Sequence, residues 1–330
     1  LKKNGNPGAR VSGFLHTGEV IPEKPLSNGG CKVPLRNWIM LTVLGAIWGG
    51  SFLFAKVAVA EIPPFVLVFL RVSIACAVLL IILWHRGMLN RLERQHALPF
   101  LVMGLLNNAV PFSLLFLGQT AIGAGLASIL NATTPVFTVV VASLLTKQET
   151  LQGNRIAGVV LGVAGVAIML WSSLSGLASD PLWAQLCCLG AAISYACAAT
   201  FARRFKSLPP QVSATGQLIG SSTLMLPVAL LTAGNWSIAD PSLTAWFNVL
   251  ALGVLATALA YLIYFQILAE AGATNASLVT LLVPASALFF GWLILGENLG
   301  VTQLGGFAVL LAGLVVLDGR ILKRRRAPAV

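Results

Sequence analysis

The chain has 330 residues, of which 57% are hydrophobic and only 9% charged, with a mean hydropathy of +0.89. A water-soluble domain keeps about 25% of its residues charged, so composition excludes an ordinary soluble domain, a disordered chain, a collagen-like rod and a disulfide-built scaffold. The net charge of +11 does not mark a nucleic-acid binder, because the basic residues lie between and beyond the apolar stretches, which is how a membrane protein sets its orientation.

Residues 1–35 are polar, rich in Gly, Pro and Lys, and without periodicity. They read as a disordered cytoplasmic tail. The chain begins at Leu1, which leaves a gene-start artefact open for part of it. No cleavable signal peptide is evident, and the first apolar run would stay in the membrane as an anchor. At about 20 apolar residues per crossing, ten spans can be drawn: 38–60, 64–84, 97–117, 120–145, 154–173, 181–202, 211–233, 243–268, 272–295 and 301–321. The third and fourth meet at Gly118-Gln119. A single helix over 97–145 would measure about 73 Å against a hydrocarbon core of ~30 Å, so the chain must fold back there as a hairpin. Residues 323–330 form a short basic tail.

With the amino terminus inside, every Lys and Arg except Lys56 and Arg71 falls in a tail or an inner loop. The outer loops carry Glu61, Asp180, Asp240 and Glu297. That bias fits ten spans with both termini cytoplasmic, and a missed span would reverse it. The five cysteines show no ligand spacing and read as small apolar packing residues.

The chain also contains itself twice. Gly123, Ala127-Ser128 and Pro135 in the fourth span match Gly272, Ala276-Ser277 and Pro284 in the ninth. Glu149 and Glu297 follow their prolines at nearly the same distance. Gly158 and Gly165 pair with Gly306 and Gly313, while Trp48, Lys56 and Pro63 pair with Tyr195, Arg203 and Pro210. Each copy, 36–173 and 181–322, holds five spans. Five is odd, so the second enters the membrane inverted. The expected fold is an all-α integral membrane protein of ten transmembrane helices built from two inverted five-helix repeats, the pattern of secondary transporters.

Ala46-Ile47-Trp48-Gly49-Gly50-Ser51-Phe52, Phe69-Leu70-Arg71, Ile129-Leu130-Asn131-Ala132-Thr133-Thr134-Pro135 with Glu149, and Pro284 with Gly296-Glu297 together resemble the EamA family of the drug/metabolite transporter superfamily, over about 36–322. The resemblance implies a ten-helix carrier of the bacterial inner membrane, often an exporter of amino acids or related metabolites. It does not choose the cargo.

Lys56 and Arg71 are the cations inside spans. Arg71 lies about 12 Å below the outer end of the second span. A charge there is costly and faces the bundle interior. It is either a clamp on a substrate carboxylate or a fixed anchor on helix ends. Lys56 reads as snorkelling outward along its stem. Asn107, Asn108 and Asn131, with Asn275 in the ninth span, are candidates for a cavity wall. So are Gln217, Ser221, Ser222, Thr257, Gln266 and Thr280. Trp48, Tyr195, Tyr261 and Tyr264 add aromatic walls, the last two on one helix face. Pro135 and Pro284 break helices at equivalent points, either as hinges or as plain kinks. Glu149 and Glu297 are expected to favour the positive ends of the helices that follow them. Gly45-x-x-x-Gly49 and Gly158-x-x-x-Gly162 read as close-packing faces.

No Asp, Glu or His lies mid-span, so a proton relay lacks its usual groups. The coupling expected is facilitation, exchange, or use of a peripheral carboxylate such as Glu61. No metal or cofactor is expected, and no nucleic-acid partner. The partners expected are lipid and a small zwitterionic or anionic metabolite, with a homodimer left open. The leading reading is an alternating-access exporter of amino acids or similar polar metabolites. A nucleotide-sugar or drug carrier is the near alternative. A non-transporting structural membrane protein or a membrane-embedded enzyme is the alternative from another class, though clustered metal-binding acids or a nucleophile–His pair are missing.

Overall fold

A computed structural model describes residues 35–146, 153–174 and 180–318. The amino-terminal tail, Glu149 and the basic carboxy-terminal tail lie outside the described residues. Nine helices among those described are long and apolar enough to cross a bilayer, and Val279–Leu295 is a shorter apolar tenth. No strand occurs among the described residues. The spans are Leu35–Ala58, Pro64–His85, Arg94–Gln119, Ala124–Leu144, Gly153–Trp171, Leu182–Phe205, Pro210–Thr232, Leu243–Gly272, Val279–Leu295 and Val301–Asp318. The fold is therefore the expected all-α, ten-helix membrane architecture of two inverted repeats.

Local chemistry sets the helix ends. Pro64 and Pro210 open their helices at the first turn, where the missing N–H costs nothing. Ser242 caps the eighth span by accepting from Ala245 N–H at 3.2 Å. Gly296 ends the ninth in the left-handed region, φ 66°, and Glu297 N–H closes back onto Gly291 C=O at 3.0 Å. The third and fourth spans reverse at Thr120–Gly123, a few residues beyond the expected Gly118-Gln119. Gly118 is helical. A Cβ there would lie 2.8 Å from Ala184 C=O, so its smallness serves the close approach of the sixth span, not the turn.

The expected small-residue faces meet partners. The first span lies on Val279–Leu295 where Gly45 faces Leu282 and Gly49 faces Ser286. The fifth and tenth spans touch backbone to backbone: a Cβ on Gly165 would sit 2.7 Å from Gly306 C=O, and one on Gly158 2.9 Å from Gly313 C=O. Between lipid-bathed helices such contact is a main source of attraction. Gly165→Leu should force these helices apart at a cost of about 1–3 kcal/mol. A thermal midpoint in detergent unchanged from the parent would show that the contact is not needed.

Two spans contain wide π turns, Leu105–Ala109 in the third and Ala251–Leu259 in the eighth. The offset that carries Pro135 onto Pro284 carries Leu105–Ala109 onto the interior of the second π segment, and Gly104 onto Gly253. Gly104 lets the third span reach the seventh, where a Cβ would meet Gln217 C=O at 2.5 Å. Gly253 lets the eighth reach the second, where it would meet Ile74 Cβ at 2.7 Å. The π turns are thus a property of the repeat, and such turns favour functional positions.

The proline breaks are less alike. In the fourth span the helix stops at Asn131 and restarts at Thr134, directly before Pro135. In the ninth it is interrupted at Ser277-Leu278, and Pro284 lies inside the following helix. Both prolines withhold an N–H from the carbonyl four residues earlier, namely Asn131 and its repeat counterpart Thr280. Thr134 Oγ donates to the Asn131 carbonyl at 2.7 Å. Val283 holds the place of Thr134 in the second copy and has no hydroxyl to give.

Candidate functional site

A cavity of about 910 Å³ runs between the two repeats. Arg71, Trp48, Asn107, Asn131, Tyr195, Tyr261 and Tyr264 all line it, as do Pro135 and Pro284. Its wall is mainly apolar, as ligand pockets commonly are. Phe112 and Phe116 contribute alongside Ser51, Gln119 and Ser128 at one end. At the other end the lining reaches Phe205, Lys206 and Leu208, in the turn between the sixth and seventh spans.

Arg71 is the charged centre of this wall and is only 6% exposed. Its Nε donates to Thr257 Oγ at 3.0 Å. The Thr257 hydroxyl gives its own proton to Leu252 C=O at 2.8 Å, an i−5 bond within the π segment, so that turn aims the oxygen lone pair at Arg71. The guanidinium carbon lies 3.7 Å from the Phe112 ring centre and 5.8 Å from that of Phe116, a stack that suits a planar cation. The Arg36–Glu270 ion pair lies elsewhere, with Arg36 largely exposed, and no carboxylate is among the hydrogen-bond partners of Arg71 in the described residues. Arg71 therefore has one neutral hydrogen-bond partner and two rings, and no carboxylate.

An amide–phenol cluster flanks it. Asn107 Nδ2 donates to Gln217 Oε1 at 3.0 Å and to Tyr261 Oη at 3.4 Å. Tyr261 O–H donates to Asn108 Oδ1 at 3.1 Å, and Asn108 Nδ2 reaches Ser221 Oγ at 3.5 Å. These bonds tie the third span to the seventh, as Arg71–Thr257 ties the second to the eighth. The two sets are counterparts under the repeat, and Asn108 corresponds to Thr257. Asn131 differs. Its Oδ1 is buried without a hydrogen-bond partner, although the residue borders the cavity.

Not every expected wall residue is there. Asn108 is fully buried and supports Tyr261 from behind. Asn275 does not border the cavity; its Nδ2 donates to Ala271 C=O one turn earlier at 2.9 Å. Gln266 is exposed and bonds Glu270 at 3.1 Å. Lys56 does not end free in water. Its Nζ donates to Gln119 C=O at 2.8 Å and Ile122 C=O at 2.9 Å, so the cation closes the carboxyl end of the third span. Glu297 does not serve the helix that follows it either. Its Oε1 accepts from Ala124 N–H at 2.7 Å and Oε2 from Gly125 N–H at 2.9 Å, at the start of the fourth span in the other repeat. The carboxylate does favour a helix N-terminus, but across the repeat boundary. Phe112, Phe116 and Gln119 were unmarked in the sequence because two are apolar and the third sits at a span end.

The comparisons with known proteins agree with this architecture. The profile of the EamA-like transporter family matches residues 36–171 and again 182–317. The chain belongs to the EamA-like transporter family. It is similar to an uncharacterized transporter, YoaV, of Bacillus subtilis, at 26% identity over 84% of this chain and 95% of that protein. It is likewise similar to proteins named probable amino-acid metabolite efflux pumps: 27% identical in Salmonella typhimurium and 26% in Escherichia coli, each over 85% of this chain and 94% of the other. A solved crystal structure shares the fold with TM-score 0.63 at 20% identity, over 88% of this chain and 99% of that one. This is a multi-pass membrane transporter with a small-molecule cargo.

In this EamA-like transporter, further contacts join the repeats at the end of the bundle that carries the acidic loop residues. Besides Glu297, Glu61 accepts from Ser242 N–H at 2.6 Å and Ser242 O–H at 2.8 Å, and Trp236 Nε1 donates to Glu61 C=O at 3.2 Å. The Ser242 N–H, and then its hydroxyl, hold the Glu61 carboxyl below the usual carboxylate range. With the folded value depressed, the bond is intact above the ordinary value and is lost only as pH falls through the lower one. In this conformation the Ser242 contacts favour the carboxylate form of Glu61. Glu61→Gln should leave the pH profile of transport between pH 5.5 and 8 unmoved. A lost limb in that profile would make Glu61 the coupling group.

Proposed function

We propose that this transporter is an alternating-access exporter of carboxylate-bearing metabolites, amino acids foremost, in the bacterial inner membrane with both termini cytoplasmic. The observation that carries the reading is Arg71. A guanidinium in an apolar cavity wall, with one neutral partner and no carboxylate among the described residues, offers a planar fork to a ligand oxyanion. Trp48, Tyr264 and Tyr195 supply apolar surface with polar edges, and Trp48 and Tyr264 lie 5.6 Å apart. Asn107, Gln217 and Asn131 supply amides for the rest of a polar solute. The names of the Salmonella and Escherichia relatives support the same cargo class.

Orientation follows from charge. The acidic end, with Glu61, Asp240 and Glu297, would face outward, and the basic loops holding Arg91, Arg94, Arg203 and Lys206 inward. On that orientation we read the conformation as inward-open, because the lining reaches Lys206 while Lys56, Glu61 and Glu297 make their contacts at the outer end. Impermeant thiol labelling of single cysteines beside Asp240 and Arg91 checks this, and labelling from the opposite sides would invert it.

A second reading, a carrier of bulkier hydrophobic anions, is favoured by the cavity's size of about 910 Å³ and its largely apolar wall. Mass spectrometry of the medium from expressing cells, against an empty vector, separates the two. Accumulation of amino acids supports the first reading. Accumulation only of larger apolar acids supports the second, and a medium identical to the control contradicts both.

A further inference from the structure

Arg71 carries a fixed charge that no described residue of the cavity wall balances. Among the described residues bordering the cavity there is no Asp, Glu or His, and the only other cation among them is Lys206 at the mouth. The inverted repeat does not cancel the charge either. The offset that carries Trp48 onto Tyr195 and Pro63 onto Pro210 carries Arg71 onto Leu218, which is fully buried. The fork sits between Phe112 and the Thr257 hydroxyl, leaving its other N–H groups without an acceptor among the described residues.

While the cavity is open, water and mobile anions solvate those N–H groups. A carrier must also pass through a state shut at both ends. There the apolar walls close around the fork and most of that water is gone, so an unpaired guanidinium is strongly disfavoured. A bound carboxylate removes the penalty with two charge-assisted bonds. The loaded protein can therefore cross the closed state and the empty protein cannot. Proton return offers no escape, because no acid or base in the described cavity wall can pair with Arg71 and release it.

We propose that the transporter is an obligate anion exchanger: each outward passage of a carboxylate solute on Arg71 is followed by the inward passage of another small carboxylate or anion on the same side chain. The proposal rests on the reading of Arg71 as the cargo clamp. It adds a rule of turnover that the clamp alone does not require, since a uniporter could use the same clamp.

Full-length protein in liposomes, loaded with a carbon-13-labelled mixture of the twenty common amino acids, tests it. Release is followed by mass spectrometry into three media: the same mixture unlabelled, sodium chloride, or a buffer whose only anion is a bulky sulfonate. The expected release into the unlabelled mixture is at least tenfold faster than into the sulfonate, and chloride shows whether an inorganic anion serves as counter-solute. Equal rates in all three media would overturn the exchange rule while leaving the amino-acid reading intact. No release in any medium would overturn that reading, and the proposal with it. Arg71→Leu copies the second repeat and removes the charge. Its slower release should be indifferent to the outside anion, whereas Arg71→Lys should keep the dependence. A folded Arg71→Leu protein that still requires the counter-anion would refute the role of the charge.

Discussion

Arg71→Ala is expected to weaken binding of carboxylate cargo by about 10- to 100-fold while leaving the protein folded and inserted. A hydrogen bond to a charged group contributes about 1.5–3 kcal/mol, and each 1.4 kcal/mol is tenfold in affinity. The stability side of the same change differs in kind. Most buried charges cannot be truncated without stranding a partner, but Arg71 strands only the lone pair of Thr257, a hydroxyl that already donates to Leu252 C=O. The thermal midpoint in the absence of ligand should therefore stay near that of the parent. Arg71→Lys should fall between the two in affinity, because it keeps the charge and loses both the fork and the stack on Phe112. The discriminating measurement is equilibrium binding of a labelled amino-acid mixture beside the ligand-free melting curve. Unchanged binding with a lowered midpoint would make Arg71 an anchor of the fold.

Much of this arrangement is legible in the sequence, and the part that is not has a physical pattern. Span positions follow from apolar length, and the repeat follows from Gly123, Pro135 and their counterparts, because backbone constraints leave a mark at a single residue. Arg71, Trp48 and the tyrosines point to the cavity because polar or amphipathic groups are costly in hydrocarbon wherever they fail to find a lining. What escapes is contact between distant segments. Nothing in the order of residues says that Glu297 leaves its own helix for Ala124, or that Lys56 ends on the carbonyls of Gln119 and Ile122. Periodicity also fails at the π turns, which shift every later side chain of the third and eighth spans around the axis. The neighbours Asn107 and Asn108 divide between the cavity and the interior, as the roughly 100° between adjacent helical residues allows. Asn275 lies off the cavity for another reason: an amide near a helix start can bond the preceding turn, and its Nδ2 donates to Ala271 C=O. A signal for the π turns was present in Gly104 and Gly253, a repeat pair whose smallness admits neighbouring helices at those turns.

The second large effect is expected at Glu297, where the two repeats are joined at the end opposite the cavity mouth. Three glycines make room for this carboxylate. A Cβ on Gly123 would lie 2.8 Å from its Cδ, and one on Gly291 2.6 Å from Oε2. Gly125 supplies one of the two N–H groups it binds. Gly296, at φ 66°, turns the chain so that the side chain can reach them. Loss of a helix cap costs about 0.5–2 kcal/mol, and the attraction of a carboxylate to the positive end of the helix dipole adds to this. If the contact exists only while the outer end is shut, that loss is a change in the ratio of the two carrier states, up to about 30-fold. Glu297→Ala should then open the sealed end. In a cysteine-free background, a cysteine at Ser128, which borders the cavity near that seal, should react faster with an impermeant thiol reagent added outside. Gly123→Ala should reproduce the effect with the carboxylate still present, because the new methyl takes its place. Faster labelling in both variants identifies a gate. Equal labelling with a lowered melting point in both would identify a static clasp, holding the repeats together in every state the carrier visits.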